Sequence, residues 1–314
     1  MWNGRPLRIA VIGVGYLGRH HARIYAALPG VELVAVVDVD AQRAQQVAAE
    51  YGCAAFSDFK TLIGQVDAAS VAVPTALHYP VAAALLEHGV HLLLEKPMAA
   101  TCKEADDLIA LADRRRCVLQ VGHVERFNPG VRALRRALKE PRFIECHRMG
   151  TFVERGIDVH VIMDLMIHDI DIVLSLIPTA PIEVRAVGVP VLTSHIDIAN
   201  VRLAFENGAV ANLTASRVSN VKLRKLRVFQ PEAYFSLDYA KPELTVCRRT
   251  PQGSAVRPSV ETQKIALDAE EPLRAELAAF VESVVARRQP LVSGRDGRSA
   301  LALALQIVDQ IRDA

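Results

Sequence analysis

The chain has 314 residues, 51% of them hydrophobic and 23% charged, and its 37 Lys and Arg against 35 Asp and Glu leave a formal charge of +2. That balance supplies no strong field to capture nucleic acid or an acidic membrane surface, and a chain of this length is expected to form two cores rather than one. The five cysteines (Cys53, Cys102, Cys117, Cys146 and Cys247) are scattered, odd in number and without a C-x-x-C pair, which fits reduced thiols in a cytosol rather than disulfides or a zinc site.

The opening stretch MWNGRPLRIAVIG carries no apolar signal region ahead of the first strand, and no apolar run approaches the roughly 18 residues of a membrane span. A cytoplasmic protein with neither membrane nor nucleic-acid partner is the expectation. Residues 7–12, LRIAVI, predict a strand that ends at Gly13. A helical pattern covers 16–28, VELVAVVDVD (31–40) is a second strand, and 41–51 a second helix. The apolar runs DAASVAV (67–73), GVHLLLEKP (89–97) and CVLQVG (117–122) alternate with further helical segments. Short strands, apolar on both faces and separated by helices, predict a doubly wound parallel α/β sheet covered on both sides.

After about residue 142 the pattern changes. RFIECHRMGTF (142–152) reads as a strand and VIMDLMIHDIDIVLSLI (161–177) as a buried helix. PIEVRAVGVPVL, DIANVRLAF, AVANLTASRVS, KLRKLRVFQ, AYFSLDY and PELTVCRR then continue as a meander, with Asn207-Gly208 marking a hairpin. This predicts an α+β domain with a largely antiparallel open sheet. Helical stretches at 271–288 and 299–312 follow. The expected division is a dinucleotide-binding domain at 1–123 and a substrate and oligomerisation domain at 124–295, with 296–314 returning to the first.

VIGVGYLG places Gly13, Gly15 and Gly18 as G-x-G-x-x-G after a strand and at the opening of a helix, the context in which the pattern binds a dinucleotide. The loop, including Tyr16 and Leu17, is expected to hold a pyrophosphate on free N–H groups at the helix start. Asp38 ends the second strand about 20 residues beyond Gly18, where a carboxylate accepts from the adenosine ribose and repels a 2′-phosphate, which favours NAD over NADP. VAVPTALH (71–78) and LLLEKP (92–97) end the following strands on the same carboxyl edge. Pro74, Thr75, His78, Glu95 and Lys96 are therefore expected as cofactor contacts. Lys96 can also hold a substrate oxygen and stabilise its developing negative charge, the plain alternative being a solvated Lys-Pro turn. Pro97 can be cis, although X-Pro bonds are usually trans.

The helix at 161–177 buries Asp164, His168, Asp169 and Asp171 among Ile, Leu, Met and Val, a costly composition unless the ionisable groups have partners. At about 100° per residue, Asp164, His168 and Asp171 fall in a stripe roughly 60° wide, with Asp169 well away from it. A narrow polar stripe on an apolar helix faces a small polar cavity, and an adjacent carboxylate can orient an imidazole that titrates near neutrality. Asp164 and His168 are read as an acid/base pair, and Asp171 either orients the ring or packs elsewhere. His160 shares the stripe, so two imidazoles and Asp164 form an alternative metal set; the dinucleotide site already supplies an electron acceptor, and no metal is expected. A satisfied buried network or a subunit contact is a further alternative.

Taken in order, Gly13/Gly15/Gly18, Asp38, Glu95-Lys96-Pro97 and DLMIHDID (164–171) resemble the glucose–fructose oxidoreductase / inositol dehydrogenase / MocA (Gfo/Idh/MocA) family over essentially the whole chain. The resemblance implies an N-terminal Rossmann domain that binds NAD and a C-terminal open sheet for substrate and for assembly as a homodimer or homotetramer. It implies Lys96 as the catalytic lysine of E-K-P, and Asp164 and His168 as the family's D-x-x-x-H pair with the histidine accepting the proton. Many members carry a glycine between that pair, where this chain has LMI. GHVERFNPG (122–130), with the stretch around the helix, is similar to bacterial UDP-N-acetylglucosamine 3-dehydrogenases. That similarity implies a sugar-nucleotide substrate oxidised at C3 to a keto sugar, for 3-amino sugars of lipid A or surface polysaccharides.

The chemistry agrees with the class, because removing a hydride from a secondary alcohol requires its hydroxyl proton to be accepted. His168 would take it, Lys96 would stabilise the oxygen, and Asp164 would bind a neighbouring hydroxyl or hold the ring. Arg126 and Asn128 are candidate substrate contacts or loop caps. Lys222, Arg224, Lys225 and Arg227 form a solvated sheet face or meet a diphosphate. An inositol or free-sugar dehydrogenase and a non-catalytic dinucleotide sensor are the rival functions; intact Lys96, Asp164 and His168 argue against the sensor.

Overall fold

The computed structural model describes residues 2, 4–153, 159–241, 243–250 and 259–313, in two compact units: Met1–Val124 with Glu271–Leu301, and Glu125–Glu270 with Ala302–Ala314. The first unit contains β1 (Leu7–Ile12), α1 (Tyr16–Ala27), β2 (Val31–Val37), α2 (Ala41–Tyr51), β3 (Ala54–Phe56), β4 (Ala68–Val71), α3 (His78–Glu87), β5 (His91–Glu95), α4 (Cys102–Arg115) and β6 (Leu119–Gly122). Its six strands lie in the order β3-β2-β1-β4-β5-β6, every pair parallel. Each strand of LRIAVI or HLLLE type is buried almost throughout, because helices cover both faces. Strand order reverses about β1, and the crevice at such a switch point is where open α/β sheets bind ligands.

The second unit holds α5 (Pro129–Ala137), β7 (Phe143–Met149), a π-helical turn at Ile162–Met166 that runs into α6 (Ile167–Leu176), and strands β8 (Pro181–Val189), β9 (Ile198–Phe205), β10 (Val210–Ser216), β11 (Leu223–Gln230), β12 (Ala233–Asp238), β13 (Glu243–Thr250) and β14 (Ser259–Ala266). The eight strands run β14-β13-β12-β11-β7-β10-β9-β8. All pairs are antiparallel except β7 with β10, so the sheet is mixed rather than purely antiparallel. The turn at Asn207-Gly208 joins β9 to β10 with Gly208 at φ +78°, as the Asn-Gly signal predicts. Ile144, Cys146, Ala211, Leu213, Leu226 and Val228 are buried on the helix-covered face, while Phe143, Glu145, His147, Lys225, Arg227 and Phe229 alternate with them onto the open face.

Two helices end the described chain: α7 (Pro272–Ala286) and α8 (Gly294–Arg312). Both are divided differently from the sequence reading. Residues 271–295, assigned there to the second domain, belong to the first unit, because Leu277, Phe280 and Val284 of α7 enter the core with Ile24, Tyr25 and Leu7. Residues 302–314, expected on the first domain, belong to the second. There Gln310 donates to the Val184 carbonyl at 2.9 Å, and Ile311 fills the space beside Gly188. Only the start of α8 returns to the first unit, with Gly297 against Val121.

Candidate active site

The three glycines of the first loop do three different jobs. Gly13 has φ +83°, and a Cβ there would sit 2.6 Å from the Ala72 carbonyl oxygen. A Cβ on Gly18 would lie 1.8 Å from the Gly13 oxygen, so only glycine lets α1 approach the loop. At Gly15 a Cβ would meet nothing within 4 Å; the space in front of the helix is open. Gly15 caps α1 without a side-chain hydrogen bond, and the first turn carries no acidic residue. The helix therefore presents its N–H groups and positive dipole end to that space, a cradle suited to a pyrophosphate. Tyr16 is 71% exposed and Leu17 half-buried beside it.

Asp38 is buried at the end of β2 and accepts from the Val14 N–H at 2.9 Å and the Asp40 N–H at 3.0 Å, so it braces the glycine loop. The Arg43 guanidinium lies 3.2 Å from it. Pro74 and Thr75 follow β4 as expected. His78 does not face the open edge: it is 1% exposed, with Nδ1 2.8 Å from the Pro97 carbonyl and Nε2 2.9 Å from the Val73 carbonyl. Burial lowers its pKa against the pull of both carbonyls, and a neutral ring can donate to only one of them. Its place is to tie the loops after β4 and β5 together, a positioning role rather than the direct contact expected. Glu95 is also buried, its Oε1 3.2 Å from His21 Nε2, and a Cβ on Gly122 would collide with its carboxylate at 2.7 Å. Lys96 is half-buried where β5 ends. The Lys96–Pro97 peptide is cis, where the sequence reading favoured trans.

In the second unit the structure sorts the four ionisable groups of the helix into two kinds. Asp164 and His168 are half-buried, whereas Asp169 and Asp171 are 4% and 3% exposed. Asp169 receives a bidentate pair from Arg148, Nε at 2.9 Å and Nη2 at 2.8 Å, and Arg148 Nη1 reaches Glu125 at 3.0 Å. Arg148 also lies over the Tyr239 ring at 5.4 Å. Burial would lower the Arg148 pKa, but Asp169 and Glu125 outweigh it and raise it well above the usual value. Asp171 pairs with Arg126 at 3.4 Å. Asp171 thus has a cation, Arg126, beside it.

The single period assumed for the helix does not hold at Asp164. Residues 162–166 form a π turn, and i→i+5 bonding winds each residue by less than 100°, which brings Asp164 and His168 nearer one azimuth. Sequence reasoning missed Arg148, Glu125 and Tyr239. One signal was available: Arg148 occupies the buried parity of β7 with Ile144 and Cys146, and an arginine there needs an acidic partner.

Arg126 is buried, and Asn128 caps α5 by accepting the Gly130 N–H at 2.9 Å. Lys225 and Arg227 lie on the open sheet face, where Arg227 meets Glu145 at 3.2 Å, and Arg224 stands on the opposite parity across from Arg148. His160 faces the Ile196 N–H with Nδ1 and the Arg312 guanidinium with Nε2, each at 3.0 Å. Among the described residues no group of three or more His, Cys, Asp and Glu is gathered as a metal site. Lys96 thus belongs to the first unit, and Asp164, His168, Arg126 and Asn128 to the second.

Residues 7–123 match the model of an oxidoreductase family with an NAD-binding Rossmann fold, and residues 131–235 that of the GFO/IDH/MocA C-terminal domain. The chain is 41% identical over 302 residues to the UDP-N-acetylglucosamine 3-dehydrogenase of Acidithiobacillus ferrooxidans, covering 96% of each protein. A solved structure of that dehydrogenase superposes with a TM-score of 0.93 at 40% identity over 98% of both chains. An inositol 2-dehydrogenase of Saccharopolyspora erythraea is 34% identical over 181 residues, 54% of this chain and 53% of that one. The myo-inositol 2-dehydrogenase of Lactobacillus plantarum shares the fold, with a TM-score of 0.82 at 19% identity over 98% of both chains.

Proposed function

The chain belongs to the Gfo/Idh/MocA family of NAD-binding oxidoreductases, and from that premise we propose that it oxidises the C3 hydroxyl of UDP-N-acetylglucosamine to the 3-keto sugar nucleotide. One observation carries the substrate: identity to a UDP-N-acetylglucosamine 3-dehydrogenase runs end to end, over 96% of both proteins, while the inositol dehydrogenase matches about half of the chain. NAD, when bound, supplies the hydride acceptor. Gly13, Gly15, Gly18 and the open start of α1 would hold its pyrophosphate, and Asp38 its adenosine ribose.

His168 accepts the proton of the hydroxyl being oxidised, a general-base role that an imidazole can fill. Lys96 binds the same oxygen and offsets the charge that develops as the proton leaves. Asp164, one turn before His168 on the helix, orients the ring or a neighbouring sugar hydroxyl. Glu95, Pro74 and Thr75 shape the cofactor edge. Arg126, held by Asp171, and Asn128, holding α5, set the loop at 122–130 that meets the substrate. A 3-keto sugar nucleotide is the compound an aminotransferase needs to make a 3-amino sugar, as in lipid A or a surface polysaccharide.

The open sheet face is assigned to contact with further copies of the chain, in a dimer or tetramer. Phe143, Phe229 and Tyr234 stack across it, with centroids 5.7 and 4.6 Å apart, and each is only half-buried. No described helix is long and apolar enough to cross a membrane, and all five cysteines are free, which supports a cytoplasmic location. The test is NADH formation with UDP-N-acetylglucosamine, UDP-glucose and myo-inositol side by side, coupled to an aminotransferase that removes the keto product. Turnover of the first substrate is expected; turnover of inositol alone overturns the proposal.

A further inference from the structure

The first unit carries a second opening, at the amino ends of its strands rather than the carboxyl edge that holds the glycine loop. It is a cavity of about 550 Å³ walled by His91 at the start of β5, by Leu119 at the start of β6, and by the C-terminal ends of α4 and α7. Arg115, Arg116, Arg287, Arg288 and Arg295 line it against one carboxylate, Asp113. Asp113 is taken by Arg295 at 2.9 Å, and Arg288 by Glu282 at 2.8 Å. Among the described residues, Arg115, Arg116 and Arg287 make no ion pair. A chain of net charge +2 thus gathers three uncompensated cations at one opening.

The backbone at this opening is unusual in the same residues. Arg116 and Arg287 are the C-caps of α4 and α7, and both are left-handed, at φ +53° and +50°. Glycine or asparagine normally occupies that position, because a Cβ is strained there. A helix C-terminus favours a nearby cation, but that preference is met equally well from the last helical turn, where Arg114 and Arg115 already stand in α4. It does not explain arginine at the strained residue of two helices that open on one cavity. The Arg287 guanidinium is held over the Trp2 ring at 5.4 Å, and Trp2 packs edge-on against His91 at 5.5 Å. His91 accepts the Val118 N–H at 2.8 Å; burial, and then Arg287, lower its pKa, so this wall stays neutral.

We propose that this cavity binds a small molecule bearing a di- or triphosphate, with the guanidiniums of Arg115, Arg116 and Arg287 receiving its oxygens. Guanidinium forks match phosphate oxygens in pairs, the charge of such a group answers that of the three arginines, and the volume is that of a small-molecule site. A nucleotide and a free polyphosphate share this chemistry.

Calorimetric titration of the NAD-saturated protein with ATP and with inorganic triphosphate, at about 0.15 M salt, tests it. Saturation of the dinucleotide site by NAD keeps ATP from registering there. One saturable site per chain is expected. Arg116→Gly/Arg287→Gly is expected to weaken it by about 100-fold, since each lost charge-assisted contact is worth roughly tenfold. Glycine suits the left-handed conformation, so this variant should keep its Tm within a few degrees; the exposed Arg115→Gln provides an independent loss of about tenfold. Tighter binding of ATP than of triphosphate identifies a nucleotide, and equal binding a polyphosphate. No saturable binding, several weak sites per chain, or an affinity unchanged in the variants overturns the proposal.

Discussion

Replacing Asp169 by Asn separates the structural charges of the helix from the chemical ones. Asp169 accepts two hydrogen bonds from Arg148, at 2.9 and 2.8 Å, in a site where Arg148 and Asp169 are 3% and 4% exposed. The amide keeps the size of the side chain but loses its charge and turns an NH2 toward one guanidinium N–H. Breaking a buried ion pair from one side costs about 3–5 kcal/mol, and Glu125, still 3.0 Å from Arg148, places this case near the lower end. For a unit of this size about 3 kcal/mol corresponds to a Tm lower by roughly 6–12 °C. Asp164→Asn is the control on the same helix: half-buried, it should leave the Tm within about 2 °C while removing most of the activity. Scanning calorimetry and NADH formation on both variants decide the matter. A wild-type Tm for Asp169→Asn, or equal destabilisation by Asp164→Asn, refutes the sorting.

His168→Ala is expected to lower turnover by about 100-fold or more at nearly unchanged Tm, and near-normal NADH formation removes it from the base role. Asp38→Ala should weaken NAD relative to NADP, both by loss of the ribose acceptor and by release of Arg43, now 3.2 Å away; an unchanged KM ratio contradicts that assignment. Gly18→Ala forces a Cβ to 1.8 Å from the Gly13 oxygen, so stability should fall by about 3 kcal/mol in urea unfolding, with NAD binding reduced. Burial lowers the pKa values of His78, His91 and His160. Below about pH 6.5 the unfolded chain therefore takes up protons that the folded chain resists. The stability tied to these groups is full above that pH and declines below it, which a lower Tm at pH 5.5 than at 7.5 would register. Asp197 acts further down: burial alone would raise its pKa, but the N–H groups of Thr193, Leu192 and Val191 hold it at about 2. Its contribution is present above the ordinary carboxylate pKa of about 3.9 and is lost as pH falls toward 2.

The glycine loop, Asp38 and the strand-ending Lys96 were legible because each depends on local chain geometry: a turn of fixed shape, a strand of fixed length, a helix that must start where the strand stops. The hairpin at Asn207-Gly208 was legible for the same reason. His78 follows β4, as expected, but opens α3 and has the wrong neighbours, since nothing local shows that its ring reaches the Pro97 carbonyl, 19 residues on. The Asn128 cap on the Gly130 N–H, two residues on, was among the local readings, whereas the Arg126 partner Asp171 emerges only when the chain is folded.

By itself the sequence determined the alternation of strands and helices, the dinucleotide loop and the presence of too many charges in one apolar helix, because periodicity and turn chemistry act over a few residues. Tertiary structure alone decided which of those charges are structural. Asp169 and Asp171 are balanced by Arg148 and Arg126, which lie 21 and 45 residues away in the chain. The π turn that rotates Asp164 relative to His168, Asp169 and Asp171 is likewise invisible to a fixed helical period. The destination of the final helices followed the same rule. α7 enters the core of the first unit through Leu277, Phe280 and Val284, while the end of α8 joins the second, where Ile311 packs beside Gly188; both contacts are long-range in the chain.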